Sequence, residues 1–112
     1  MDAQDDVSPA VLTSNDAFEV PDHPQWSWDE KKIVFDAFPE GRLGRAQVFV
    51  MDRNGGGVRQ LTSESKGQNG AREASWSPDN SQIVYYSDSE AFSWDIWLMN
   101  ADGSGQQNLT KG

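Results

Sequence analysis

The chain has 112 residues, a length that fits one domain, and its 18 acidic against 9 basic side chains give a formal net charge of −9. That balance excludes nucleic-acid binding, which needs clustered Lys and Arg to neutralise phosphate, and the lack of cysteine excludes a disulfide framework, a thiolate metal site and cysteine catalysis. No apolar run approaches the length of a membrane span, while aromatics at 11%, five of them Trp, set the chain apart from disordered sequences.

Met1 to Ala10 has neither a basic n-region nor an apolar h-region, so no signal peptide is read there, and Asp2, Asp5 and Asp6 form a solvated acidic start. Ser8 to Ser14 reads as one short strand carrying Leu-Thr-Ser. Asp22-His23-Pro24 reads as a loop leading into the next strand. His23 is the single histidine, and no Ser-His-acid set assembles around it.

From Gln25 the chain begins a pattern that it repeats. Gln25 to Asp36 aligns with Ser75 to Tyr86, with Trp, Ser, Asp, Ile and Val coinciding 50 positions apart. Val48-Phe49-Val50-Met51-Asp52 aligns with Ile96-Trp97-Leu98-Met99-Asn100, and Gly57 to Thr62 with Gly105 to Thr110, both 48 apart. Three ordered blocks with nearly equal offsets make an internal repeat.

Each repeat predicts four short strands. The first ends at Trp26 or Trp76. A turn follows, Ser27 to Lys31 or Ser77 to Ser81, in which Asp29 or Asp79 accepts hydrogen bonds from the backbone ahead of it. Asn80 suits a left-handed turn residue; Glu30 suits it less, so the first turn should carry more strain. Ile33-Val34-Phe35 and Ile83 to Tyr86 form the second strands. Val48 to Met51 and Ile96 to Met99 form the third. Gly-rich hairpins lead to fourth strands holding Leu61 and Leu109. The second and third strands are apolar on both faces, so both faces should be covered. Four-stranded antiparallel units of this length, stacked on copies of themselves, describe a β-propeller.

The run Trp76-Ser77-Pro78-Asp79 to Ile83-Val84-Tyr85, then Asp95 to Gly105, then Asn108-Leu109-Thr110, resembles the WD40-like repeat of TolB-type β-propellers. Residues 24 to 62 match less closely, with Trp28 where the family favours Pro and Glu30 where it favours Gly or Asn. The expected layout is an N-terminal segment 1–23 with the outer strand of a preceding blade, blade 1 at 24–63, a linker at 64–73 and blade 2 at 74–112. Three candidate fourth strands against two of every other type suggest a segment of a longer propeller. A trimer of two-blade chains closing a ring is the second arrangement. The resemblance implies a non-enzymatic protein–protein interaction scaffold at the bacterial cell envelope, with a protein or peptide partner and no cofactor. The alternative is the propeller portion of a prolyl-oligopeptidase-like peptidase.

Candidate chemistry is sparse. Asn100-x-Asp102-x-Ser104-Gly105 imitates the start of a calcium loop, but Lys111 stands where a bidentate acid is required, and a tight hairpin explains the residues. Asn108-Leu109-Thr110 has the form of a glycosylation acceptor inside the repeat's own block. Trp26, Asp29, Leu61, Trp76, Asp79 and Leu109 recur with the fold and read as structural. The loops joining second to third strands differ between the copies, so they are the expected contact surface: Phe38, Arg42 and Arg45 on one, Phe92 and Trp94 on the other.

Overall fold

The computed structural model describes residues 18–41, 44–64, 69–90 and 94–110. These form two four-stranded antiparallel sheets in simple meander order, with no helix among the described residues. The first sheet comprises β1 (Glu19–Trp26), β2 (Lys32–Phe38), β3 (Gln47–Asp52) and β4 (Arg59–Gln60). The second comprises β5 (Ala71–Trp76), β6 (Gln82–Ser87), β7 (Asp95–Asn100) and β8 (Gln107–Asn108). The candidate strand at Ser8 to Ser14 lies outside the described residues.

The recurring Ser-x-Asp turns are built alike. Ser27 N donates to Lys32 O at 2.8 Å and Ser77 N to Gln82 O at 2.8 Å. Asp29 Oδ1 accepts from Lys31 N and Asp79 Oδ1 from Ser81 N, each at 3.0 Å. Glu30 and Asn80 take the left-handed conformation with φ of 61° and 64°, so the turn imposes the same backbone on a residue that suits it poorly. The Asp79 carboxyl is held down at about 2, first by the Ser81 hydroxyl, then by the Ser81 amide and the Ser77 hydroxyl. A depressed folded-state value means stabilisation that is complete above the ordinary value of 3.8 and is lost as pH falls towards about 2. Asp79→Asn should therefore melt below the parent at neutral pH, with the gap closing across that acid window. Thermal melts over a pH series check this; a gap independent of pH would deny the turn its carboxylate role.

β1 starts earlier than the sequence reading of the blade allows. It runs through Pro21, His23 and Pro24, pairing with β2 at Glu19–Phe38, Asp22–Asp36 and Gln25–Val34, with register shifts between these pairs. Val20 and His23 lie at φ of 52°, and these bulges let an edge strand rich in proline keep its pairing. Glu73, the counterpart of His23, has φ of 56° and sits in the matching bulge of β5.

The sheets stack. One face of the first sheet, with Val34, Val48 and Val50, packs on Ala71, Ala74, Trp76, Ile83, Tyr85 and Met99 of the second. Leu61, just past β4, joins this seam. The opposite face of the first sheet holds Ile33, Phe35, Ala37, Phe49 and Met51, capped by Phe18. Phe18 meets the Phe35 and Phe49 rings at 5.3 and 5.0 Å. The expectation that both faces of both sheets are covered holds for the first sheet and fails for the second, whose outer face leaves Val84, Tyr86 and Ile96 exposed. The recurring structural residues also divide. Trp76 is 8% exposed and Trp26 51%, because only Trp76 has a sheet beside it. Leu61 is buried and Leu109 exposed for the same reason. Their neighbours Thr62 and Thr110 keep one role: each hydroxyl accepts a β3 or β7 amide, from Val48 N at 2.9 Å and Ile96 N at 2.8 Å, extending the short outer strands.

Candidate functional site

The turn end of the seam between the sheets carries a cleft of about 660 Å³. Its walls are aromatic: Trp26 closes β1, Trp28 stands in the following turn, and Trp76 closes β5. Gln25, Ser27, Glu30, Arg53 and Ser75 supply polar groups around them. The rings are held by the backbone. Trp76 Nε1 donates to Gln25 O at 3.2 Å, and Trp28 Nε1 donates to Trp76 O at 3.3 Å. Trp28 N also donates to Asn80 Oδ1 at 2.7 Å, so the first turn is fastened to the second sheet. Arg53 lies over the Trp26 ring, 5.6 Å from its centroid. Trp28 remains 68% exposed despite these ties. A fixed, exposed indole beside Arg and Glu forms an adhesive surface with little side-chain freedom to lose on binding.

Deeper in the seam, Asp36 ties the inner strands of the two sheets. Its Oδ2 accepts from Glu73 N at 2.8 Å and lies 2.8 Å from His23 Nδ1. Burial pushes the Asp36 carboxyl up, against the hydrogen bonds from Glu73 and His23 that pull it down. At the far end a second buried group forms. Glu64 Oε1 accepts from the Ser87 hydroxyl at 2.6 Å, and burial raises its carboxyl. Asp88 accepts from Asn69 N and Gly70 N at 2.8 and 3.0 Å. Asp36 and Glu64 thus satisfy donors across the seam, while Asp88 satisfies the entry to β5 within its own blade, a structural use of buried carboxyl groups.

The loop residues expected to make contacts are spread out. Phe38 is half-buried, with the Arg72 guanidinium 5.3 Å over its ring, joining β2 to β5. Arg45 lines a separate depression of about 280 Å³ with Pro39, Glu40 and Gln47, at the end of the seam opposite the tryptophan cleft. Trp94 stands 48% exposed just ahead of β7. Arg42 and Phe92 lie outside the described residues. The tryptophan cleft was not among the sequence expectations as a site; its one legible signal was Trp28, an aromatic in a turn where the other copy has Pro78. The Asn100 to Gly105 stretch forms the expected hairpin: Asp102 Oδ1 accepts from Ser104 N at 3.0 Å and from its hydroxyl at 2.6 Å. Asn108 Nδ2 is engaged by Glu90 and Asp95 at 3.0 Å each, which occupies the amide of the glycosylation-like triplet.

No known protein-family model matches the chain. It is similar to the Tol-Pal system protein TolB of Anaeromyxobacter dehalogenans (strain 2CP-C), 37% identical over 87 residues. The match takes in 78% of this chain and 18% of that relative, so the chain spans under a fifth of its length. Among solved structures it is similar to TolB of Acinetobacter baumannii, with TM-score 0.70 and 24% identity over 91% of this chain and 23% of that one. A putative TolB from Agrobacterium tumefaciens gives TM-score 0.68 and 24% identity over 87% of this chain and 35% of that one. With the repeated turns, the meander sheets and their stacking, these likenesses identify the two sheets as TolB-like β-propeller blades.

Proposed function

We propose that the chain is a non-enzymatic β-propeller module that serves as a protein–protein interaction scaffold, with the tryptophan cleft as its contact surface. The observation that carries this reading is Trp28, exposed yet held to the second blade by two hydrogen bonds, with Trp26, Arg53 and Glu30 around it. Tryptophan and arginine dominate the energetics of protein interfaces, and a rigid blade seam holds them in place. The relative's own name places it in a Tol-Pal system, which makes a Pal protein the first partner to try, and the cell envelope the compartment in which to look.

The reading as the propeller portion of a prolyl-oligopeptidase-like peptidase is weaker. The similarity above runs to TolB proteins, and His23 is engaged with Asp36 rather than with a serine hydroxyl among the described residues. The test is binding of a purified Pal protein to the immobilised chain. Trp28→Ala should weaken binding by about 10-fold or more while leaving the melting temperature within a few degrees of the parent. Absence of Pal binding by the parent, or an unchanged affinity in Trp28→Ala, counts against the reading.

A further inference from the structure

We propose that a basic cleft between the two blades, at their turn end, takes an acidic peptide segment of a protein partner, which deepens the scaffold reading above and rests on it. The internal repeat separates the charges found here from what the fold needs. Lys31, Lys32, Arg53 and Arg59 stand at the turn end of the first blade, four of the nine basic residues in a chain of net charge −9. Their counterparts in the second blade are Ser81, Gln82, Ala101 and Gln107, none of them charged. The backbone is the same in both copies. Arg53 N donates to Lys31 O at 3.0 Å, as Ala101 N donates to Ser81 O at 2.9 Å. Arg59 pairs with Val50, as Gln107 pairs with Leu98. A blade therefore forms without these cations, and their concentration at one blade end points to a ligand of opposite charge.

Three of the four border a cleft of about 310 Å³, and both of its walls are described blades of this chain. Its floor is the buried Val50 and Trp76 with half-buried Ala101, while Lys31, Lys32 and Arg59 stand exposed on its first-blade side. Lys32 is paired with Asp52 at 2.8 Å, but neither Lys31 nor Arg59 forms an ion pair among the described residues. Asp29 and Asp102 also line the cleft, and each commits a carboxylate oxygen to its own turn. Asp29 Oδ1 accepts from the Ser27 hydroxyl and the Lys31 amide, and Asp102 Oδ1 from the Ser104 amide and hydroxyl. Lys31 and Arg59 thus keep their side-chain donors for a carboxylate from outside. An apolar floor beside two such cations suits a segment that sets one apolar side chain between the blades and acidic side chains around it. The cleft adjoins the tryptophan cleft and shares Ser27 and Trp76 with it, so one segment can run across both.

The probe is a capped peptide, acetyl-Asp-Glu-Leu-Asp-Glu-amide, against its neutral counterpart acetyl-Asn-Gln-Leu-Asn-Gln-amide. Titrated into the ¹⁵N-labelled chain, the acidic peptide should shift the amides of Lys31, Arg59 and Ala101 and the indole of Trp76. It should bind about 10-fold or more tighter than the neutral peptide, and weaken as salt rises from about 50 to about 500 mM. Lys31→Ser combined with Arg59→Gln installs the second blade's own residues, so the variant should melt within a few degrees of the parent and bind the acidic peptide about 10-fold or more weakly. Absence of shifts at the cleft, equal binding of the neutral peptide, or a folded double variant that binds like the parent would each overturn the proposal. If Pal binds and depends on Trp28 while the acidic peptide leaves the cleft unmoved, this proposal falls and the scaffold reading stands. If the peptide binds at the cleft and Pal does not bind, Pal falls as the partner and the cleft keeps its chemistry.

Discussion

Trp76→Ala should destabilise the protein by about 3–5 kcal/mol, the usual loss for a large buried aromatic. The indole fills the seam between blades, against Val34, Val48 and Val50 on one side and Ile83 and Met99 on the other. Its removal leaves a cavity whose walls are two β-sheets, which relax little because each is pinned by its own ladder. The lost ring also frees Gln25 O, which it bonds at 3.2 Å, and loosens the strand end whose carbonyl holds Trp28. Urea unfolding should show the midpoint shift with little change in slope. Trp28, whose exposed ring fills no core, should cost far less when truncated. A Trp76→Ala variant that unfolds like the parent but loses a partner would make this residue a binding side chain and not the key of the seam.

The blade was legible in the sequence because each of its parts has a local cause. Ser27-x-Asp29 and Ser77-x-Asp79 specify their turns through side-chain hydrogen bonds to amides two to five residues away. The second and third strands were readable from their apolar runs, and their register matches the repeat: Val34 opposes Val50 as Val84 opposes Leu98. What could not be read depends on neighbours. Trp26 and Trp76 are the same residue in the same local frame, and only the presence of a sheet beside one of them separates their burial. The course of β1 through two prolines was hidden because it relies on left-handed Val20 and His23, a backbone that a β-branched residue and a histidine adopt at a cost repaid by pairing with β2. The cleft was hidden for a related reason. Trp28 reaches Asn80 and Trp76, 52 and 48 residues away, and nothing in the local sequence announces that meeting. The variable loops drew attention as scaffold loops generally do, yet Phe38 is spent on Arg72.

The second large effect is expected at Gly70. Its φ of +88° is a conformation that alanine adopts only with strain, of about 1–2 kcal/mol. The larger part of the cost is steric. A Cβ at this position would overlap the carbonyl oxygen of Ala46 and lie 2.8 Å from Ala46 N and 3.0 Å from its carbonyl carbon. These are backbone atoms at the parallel bridge that joins the two blades between Ala46 and Gly70. Ala46 N donates to Asn69 O at 3.0 Å, Ala71 N donates to Ala46 O at 2.9 Å, and Asp88 grips the Gly70 amide from the far side. No side chain can swing away, so the blades themselves must part, and Gly70→Ala should lose about 2–5 kcal/mol in all. Gly41 separates the two contributions. Its φ is +87°, but the nearest atom to an added Cβ is Glu19 Oε2 at 3.8 Å, an ordinary contact with a flexible side chain. Gly41→Ala should therefore show the conformational cost alone, about 1–2 kcal/mol. Urea midpoints of the two variants measured side by side decide the matter. Equal losses would mean that the left-handed backbone, and not the close approach of Ala46, is what requires glycine at the junction.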